Sequence, residues 1–169
     1  MTDADHTPLF RFDSHGHRTE ALPFDGAIFG FDLHGDTAYL IAMKDMKLQE
    51  IYEANLKTGE CVQRSHFNDA VLAECYVAMP KRLDYAQTPD PLWGWVLEPK
   101  DYDPSKKYPA ILDIHGGPRG SYGPVFYHEM QLWANEGYFV FFCNVHGSDG
   151  RGDAFADLRG KFGTIDFDD

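Results

Sequence analysis

The sequence predicts a mixed α/β chain, in which about one and a half blades of a β-propeller precede part of an open α/β sheet. Three observations carry this expectation. A strand-turn-strand pattern recurs in the first half, the hydrophobic period changes near Lys81, and an apolar strand runs straight into His115-Gly116-Gly117-Pro118.

The repeat comes first. Leu9-Phe10-Arg11-Phe12-Asp13 with Gly16 resembles Ile51-Tyr52-Glu53-Ala54-Asn55 with Gly59, each an alternating strand leading into a polar turn. Phe10 to Tyr52 is a step of 42 residues, within the roughly 40–45-residue period of a four-stranded propeller blade. Between the copies, Ala27 to Phe31 and Thr37 to Met43 flank a turn at His34-Gly35-Asp36 and read as the inner strands of a blade. A closed propeller takes about 4–8 blades, so the expectation is the C-terminal end of a propeller over residues 1–78. An unrelated β-meander would show the same alternation and turn glycines.

The second half, residues 79–169, has another rhythm. Pro89-Asp90-Pro91 breaks the chain, Leu92 to Leu97 forms a strand, and Pro99 to Lys107 is a polar loop. Ala110 to Ile114 reads as a continuous, buried strand of the parallel type. Tyr127 to Glu136 is a helix carrying Met130, Leu132, Trp133 and Ala134, stopped by Gly137, and Tyr138 to Val145 is the next strand. Such a β-α-β crossover puts the His-Gly-Gly-Pro turn at the carboxyl end of its strand, where open α/β sheets bind ligands.

A turn of this composition aims backbone N–H groups into a pocket, as in half of an α/β-hydrolase oxyanion hole. The Gly117 N–H is the expected donor, with His115, Gly116 and Pro118 as the scaffold that orients it. The remaining machinery of such a hydrolase is a serine on a G-x-S-x-G elbow followed by an acid and a histidine, and no such elbow occurs in the 169 residues. Ser121 and Ser148 sit among glycines, but Arg119 and His146 occupy the positions where the elbow needs its first glycine. His115 precedes any nucleophile, whereas the base in this fold comes last. No member of the triad is therefore expected among these residues, and the chain alone should be inert.

Lys107-Tyr108-Pro109, the strand with its His-Gly-Gly-Pro turn, Tyr122-Gly123, Asn144, Gly147-Ser148, Gly150, Gly152 and Phe155 together resemble the hydrolase domain of the prolyl oligopeptidase family. The acylaminoacyl and dipeptidyl peptidase branches are the most similar. Phe67 to Leu72 and Gly94 to Pro99 resemble that family's junction between propeller and hydrolase. The resemblance implies a serine peptidase that acts on short peptides through an acyl-enzyme. It also implies a propeller that restricts access to the site, and a loop at Gly147, Ser148, Gly150 and Gly152 bordering it. Acylaminoacyl, dipeptidyl and prolyl specificities stay open. The family usually has Arg before the Gly-Ser of that loop and Tyr inside it, where this chain has His146 and Arg151. An esterase or lipase would share the turn but not the β-repeats, and a non-catalytic truncated interaction module is the third reading.

Composition narrows the partners. The net charge of −12, from 27 acidic against 15 basic residues, argues against nucleic acid or an anionic membrane surface. The apolar run Tyr138 to Cys143 is too short to span a bilayer, and the N-terminus is acidic where a signal peptide is basic and then apolar. Cys61, Cys75 and Cys143 form no C-x-x-C pair and suggest buried free thiols in a reducing, cytoplasmic compartment. No cofactor is expected: the glycine loop lacks the lysine of a P-loop, and His15-x-His17 has no third ligand at diagnostic spacing and reads as a solvated turn. The expected partners are a peptide substrate and the missing C-terminal part of the hydrolase domain. Without that part, Ala110 to Ile114 becomes an open sheet edge, so self-association is expected of the isolated chain.

Overall fold

Alternation builds the first half. Strands β1 (Leu9–Phe12) and β2 (Arg18–Leu22) form an antiparallel hairpin. Its turn is closed by Asp13, whose Oδ1 accepts the N–H of His15 at 2.8 Å and of His17 at 2.9 Å, a side-chain mimic of a backbone turn. The His-x-His pair thus lies in an exposed turn, with the His17 Nδ1 2.8 Å from Asp13 Oδ2. Strands β3 (Ala27–His34), β4 (Thr37–Met43), β5 (Glu50–Asn55) and β6 (Cys61–Gln63) follow as an antiparallel meander in sequence order. The computed structural model describes residues 2–85, 90–117 and 119–169, so the expected break at Pro89 and the turn residue Pro118 lie outside the described residues.

Ala38, Leu40 and Ala42 of β4 and Tyr52 and Ala54 of β5 turn inward against Leu9, Leu22 and Phe24 to form one core. The opposite face of β4 leaves Tyr39 44% and Ile41 52% exposed. The 42-residue step superposes β1 on β5, so the hairpin repeats the last two strands of the blade that follows. One and a half blades describes this arrangement.

Glu50 ties the blade to what comes next. Its side chain is buried and accepts from the Ser65 hydroxyl, the Phe67 N–H at 3.1 Å, the Asn68 N–H at 2.9 Å and the Asn68 amide at 3.1 Å. Burial alone would raise its carboxyl, yet the bonds from Ser65, Asn68 and Phe67 outweigh that and hold it below the usual carboxylate value. The short helix α1 (Asp69–Leu72) follows, with Asp69 bound to Lys47 at 3.0 Å and His66 at 2.7 Å.

The second sheet contains β7 (Lys81–Tyr85), β8 (Leu92–Leu97), β9 (Ala110–Asp113) and β10 (Phe139–Cys143) in the order β7-β8-β10-β9. β9 and β10 are parallel, joined by α2 (His128–Asn135), whereas β8 runs antiparallel to both its neighbours. Trp95 stacks on Phe142 with ring centroids 5.3 Å apart, and Met130 and Ala134 of α2 pack against them. The buried Gln131 takes both backbone groups of Ala78, accepting its N–H at 2.8 Å and donating to its C=O at 2.9 Å. Tyr76 and Ala78 accordingly pack into this second core. Helices α3 (Asp153–Ala156) and α4 (Ile165–Asp168) complete the chain.

Two expectations are corrected. The strand expected to be buried leaves Leu112 62% and Ile114 72% exposed, whereas its place at the sheet edge is the one expected without the C-terminal part of the hydrolase domain. Its parallel direction was legible, but burial requires elements on both faces and a neighbour on the far side. Cys75 is exposed rather than buried, because it follows α1 on the surface, while Cys61 and Cys143 are half-buried; all three are unpaired. Among the described residues no helix is long and apolar enough to cross a membrane.

Candidate functional site

Because β9 and β10 are parallel, the loops at their carboxyl ends emerge side by side. After β9 come Ile114, His115, Gly116 and Gly117; after β10 come Asn144 and the loop through Gly147, Ser148, Gly150 and Gly152. Two motifs about thirty residues apart in sequence therefore meet in space. The link is a hydrogen bond of 2.8 Å between His115 Nε2 and the Ser148 hydroxyl.

That pair has the residue types of a base and a nucleophile. Its burial assigns it otherwise, since Ser148 is 0% exposed and no substrate carbonyl can reach its oxygen. The Ser148 N–H is held by the Val145 C=O at 3.1 Å. Ser148 anchors the His115 ring, which also meets Tyr122 edge-on with centroids 5.1 Å apart. Ser121, the other serine among glycines, lines a small cavity of about 50 Å³.

Gly116 and Gly117 are exposed. Gly117 has φ +126°, where L side chains are strained, and a Cβ there would sit 3.0 Å from the Gly120 nitrogen. Among the described residues, its N–H makes no backbone hydrogen bond. Gly117 borders a cavity of about 930 Å³ whose other walls are Arg119, Asp153, Ala154, Ala156, Asp157, Leu158 and Arg159.

Around the turn, polar side chains fix the loops. Asn144 is buried and takes both backbone groups of Tyr122, accepting its N–H at 2.7 Å and donating to its C=O at 2.9 Å. Arg119 reaches Asp149 with Nε at 3.0 Å and Asp153 with an Nη at 3.1 Å, and these bonds raise its already high pKa. Arg159 grips Asp157 through two bonds of 2.8 Å, which hold that carboxyl far below its usual range. Burial, with Asp113 nearby, raises the Tyr122 phenol, and it stays neutral at physiological pH.

Gly147, Gly150 and Gly152 all take positive φ, and a Cβ on Gly147 would meet Leu158 at 2.4 Å. The two unusual residues have definite contacts. His146 lies tilted over Phe155 at 4.4 Å, with its Nδ1 2.7 Å from Asp169 and its Nε2 3.2 Å from Asp90. Arg151 packs its guanidinium over Phe155 at 4.0 Å and Trp93 at 4.8 Å, so two ring faces receive its charge.

Sequence reasoning missed Arg119, Asn144 and Gln131 in these buttressing roles. Arg119 had a usable signal, standing one residue beyond the turn with acidic partners in the loop already singled out. Asn144 was quoted as part of a motif, but a side chain pairing with a backbone 22 residues away leaves no periodic trace. Among the described residues, no group of three His, Cys, Asp or Glu could hold a metal ion.

Propeller strands followed by a mixed sheet with a His-Gly-Gly turn define a class, the propeller-bearing α/β-hydrolases. Residues 124–169 match the model of the prolyl oligopeptidase family. The chain is 36% identical over 147 residues to the uncharacterized peptidase YuxL of Bacillus subtilis, covering 84% of the chain and 22% of that protein. It is 30% identical over 138 residues to dipeptidyl-peptidase 5 of Porphyromonas endodontalis, covering 79% and 20% respectively. The solved acylaminoacyl peptidase of Pyrococcus horikoshii superposes with a TM-score of 0.83 at 29% identity, over 98% of the chain and 26% of that structure. The chain thus has the fold of the prolyl oligopeptidase family, acylaminoacyl and dipeptidyl peptidase-like, over most of its length. It spans about a fifth of those curated relatives and about a quarter of that structure.

Proposed function

We propose that the complete protein carrying this segment is a serine peptidase that hydrolyses short peptides of the acylaminoacyl or dipeptidyl type through an acyl-enzyme. Residues 1–78 would be the end of its propeller and residues 79–169 the start of its hydrolase domain, with Tyr76 and Ala78 at the boundary already packed into the second core. The observation that carries the reading is Gly117, an exposed positive-φ glycine on the wall of a large cavity at the carboxyl end of a parallel strand. Its N–H supplies one oxyanion donor, and the residue after the nucleophile, outside these 169 residues, supplies the other. His115 and Gly116 shape the turn, and the loop at Gly147, Ser148, Gly150 and Gly152 borders the site. The site needs neither metal nor cofactor for this chemistry. Three unpaired cysteines support a cytoplasmic location.

Chromogenic acylaminoacyl and dipeptidyl substrates test the reading. The full-length gene product should turn over at least one of them, and the 169-residue chain should turn over none. A full-length protein that hydrolyses simple esters but no peptide substrate would replace this reading with an esterase. One that hydrolyses neither would favour an interaction module.

A further inference from the structure

We propose that Arg119 is a positioning residue for the oxyanion turn, acting through Asp149 and Asp153; this rests on the peptidase reading above. Among the described residues of the turn, Gly116, Gly117 and Arg119 are all exposed and bury little surface. Contacts with the glycine loop and the start of α3 hold it instead. On one side of Gly117, His115 binds Ser148. On the other, Arg119 binds Asp149 and Asp153, and the Asp149 N–H reaches the Gly120 C=O at 3.1 Å. Gly117 lies between these two anchors, which the glycine loop and the first residue of α3 fix.

The physics separates positioning from stability. Exposed ion pairs contribute little to folding, and the side chains of Arg119 and Asp153 are 57% and 94% exposed. An oxyanion donor, however, works only within about 2.7–3.1 Å of the developing charge, and a displacement of about 1 Å can cost about a hundredfold in rate. A weak, well-aimed bridge two residues from the donor therefore matters for turnover far more than for the fold. Arginine suits the role because its planar fork can hold two carboxylates at once, whereas a lysine ammonium acts as a single flexible point charge.

The test uses the full-length protein with Arg119→Met, Arg119→Lys, Asp149→Asn and the Arg119→Met/Asp149→Asn pair. Positioning predicts that Arg119→Met lowers kcat about tenfold or more with KM nearly unchanged, and that Arg119→Lys restores part of the loss. Asp149→Asn should reproduce much of it, and the double variant should be little worse than either single one. Since the bridge is exposed, wild-type kcat should also fall with added salt, and the Arg119→Met enzyme should be less sensitive. Hydrogen exchange at residues 115–120, which needs no turnover, should quicken several-fold in Arg119→Met while the melting temperature holds. A rise in KM with kcat intact would make Arg119 a substrate contact and overturn the proposal. Unchanged kcat in an active enzyme, or unchanged exchange, would also overturn it. A wild-type protein with no turnover would instead defeat the peptidase reading on which it rests.

Discussion

The blade and the α/β sheet solve the same burial problem to different degrees. β4 is paired on both sides, and its inward residues Ala38, Leu40 and Ala42 are at most 1% exposed. β9 is paired on one side only, and its Leu112 is 62% exposed. The contrast follows from connectivity. An antiparallel meander finds its partners through short turns, whereas a parallel strand needs crossover connections and recruits partners from far along the chain. What the blade leaves unfinished is a face, bearing Tyr39, Ile41 and Ile51; what the sheet leaves unfinished is an edge with free backbone groups.

The largest expected effect lies at that edge's carboxyl end. Replacing Gly117 with proline in the full-length protein removes the N–H and cannot preserve φ at +126°. Peptidase turnover should fall about 10²–10³-fold, the usual cost of one oxyanion donor, while circular dichroism reports a retained fold. Undiminished turnover in the folded variant would take Gly117 out of the mechanism.

Next comes the independence of the two cores. Leu40→Ala in the blade and Phe142→Ala in the sheet should cost about 2–5 and about 3–5 kcal/mol respectively. All three tryptophans, Trp93, Trp95 and Trp133, lie in the second half, so fluorescence reports that half while circular dichroism reports both. Leu40→Ala should move the dichroism transition without moving the fluorescence one, and Phe142→Ala should move the fluorescence transition. Coincident shifts in both variants would mean a single cooperative unit.

Glu50 offers a gentler perturbation. Its folded carboxyl lies below its usual value of 4.5, so its stabilising contribution is present in full above that pH and is lost as pH falls through the lowered folded value. Glu50→Gln should destabilise the blade at neutral pH by about 1–3 kcal/mol, leaving buried donors poorly matched, and should flatten the acid side of its stability profile. A variant with the wild-type acid profile would remove Glu50 as its source.

The smallest effect separates edge from face. Light scattering of the 169-residue chain should rise with salt, because screening at about 0.15 M confines charge repulsion to about 8 Å. Leu112→Lys on β9 should suppress that association more than Ile41→Lys on the blade face, since open edges template pairing. Equal suppression, or a stable monomer at high salt, would remove the edge as the cause.

Legibility divides along the same line. β4 and β5 announce themselves through alternation, and the 42-residue step reveals the hairpin as a partial blade, because antiparallel pairing is local and periodic. The His-Gly-Gly turn was legible from composition. Nothing local, however, could reveal that Ser148 is the buried partner of His115, that Asn144 clamps Tyr122, or that Gln131 holds Ala78 across 53 residues. The edge position of β9 was legible but its exposure was not, because an apolar run records what a strand is built to bury against and not how much of that cover is in place.

We propose above all that this segment supplies the oxyanion turn, and not the nucleophile, of a serine peptidase. Labelling the full-length gene product and the 169-residue chain with a fluorophosphonate, followed by peptide mapping, tests it most directly. The full-length protein should take one stoichiometric label, at a serine outside residues 1–169, and the shorter chain none. Stoichiometric label at Ser121 or Ser148 would contradict it.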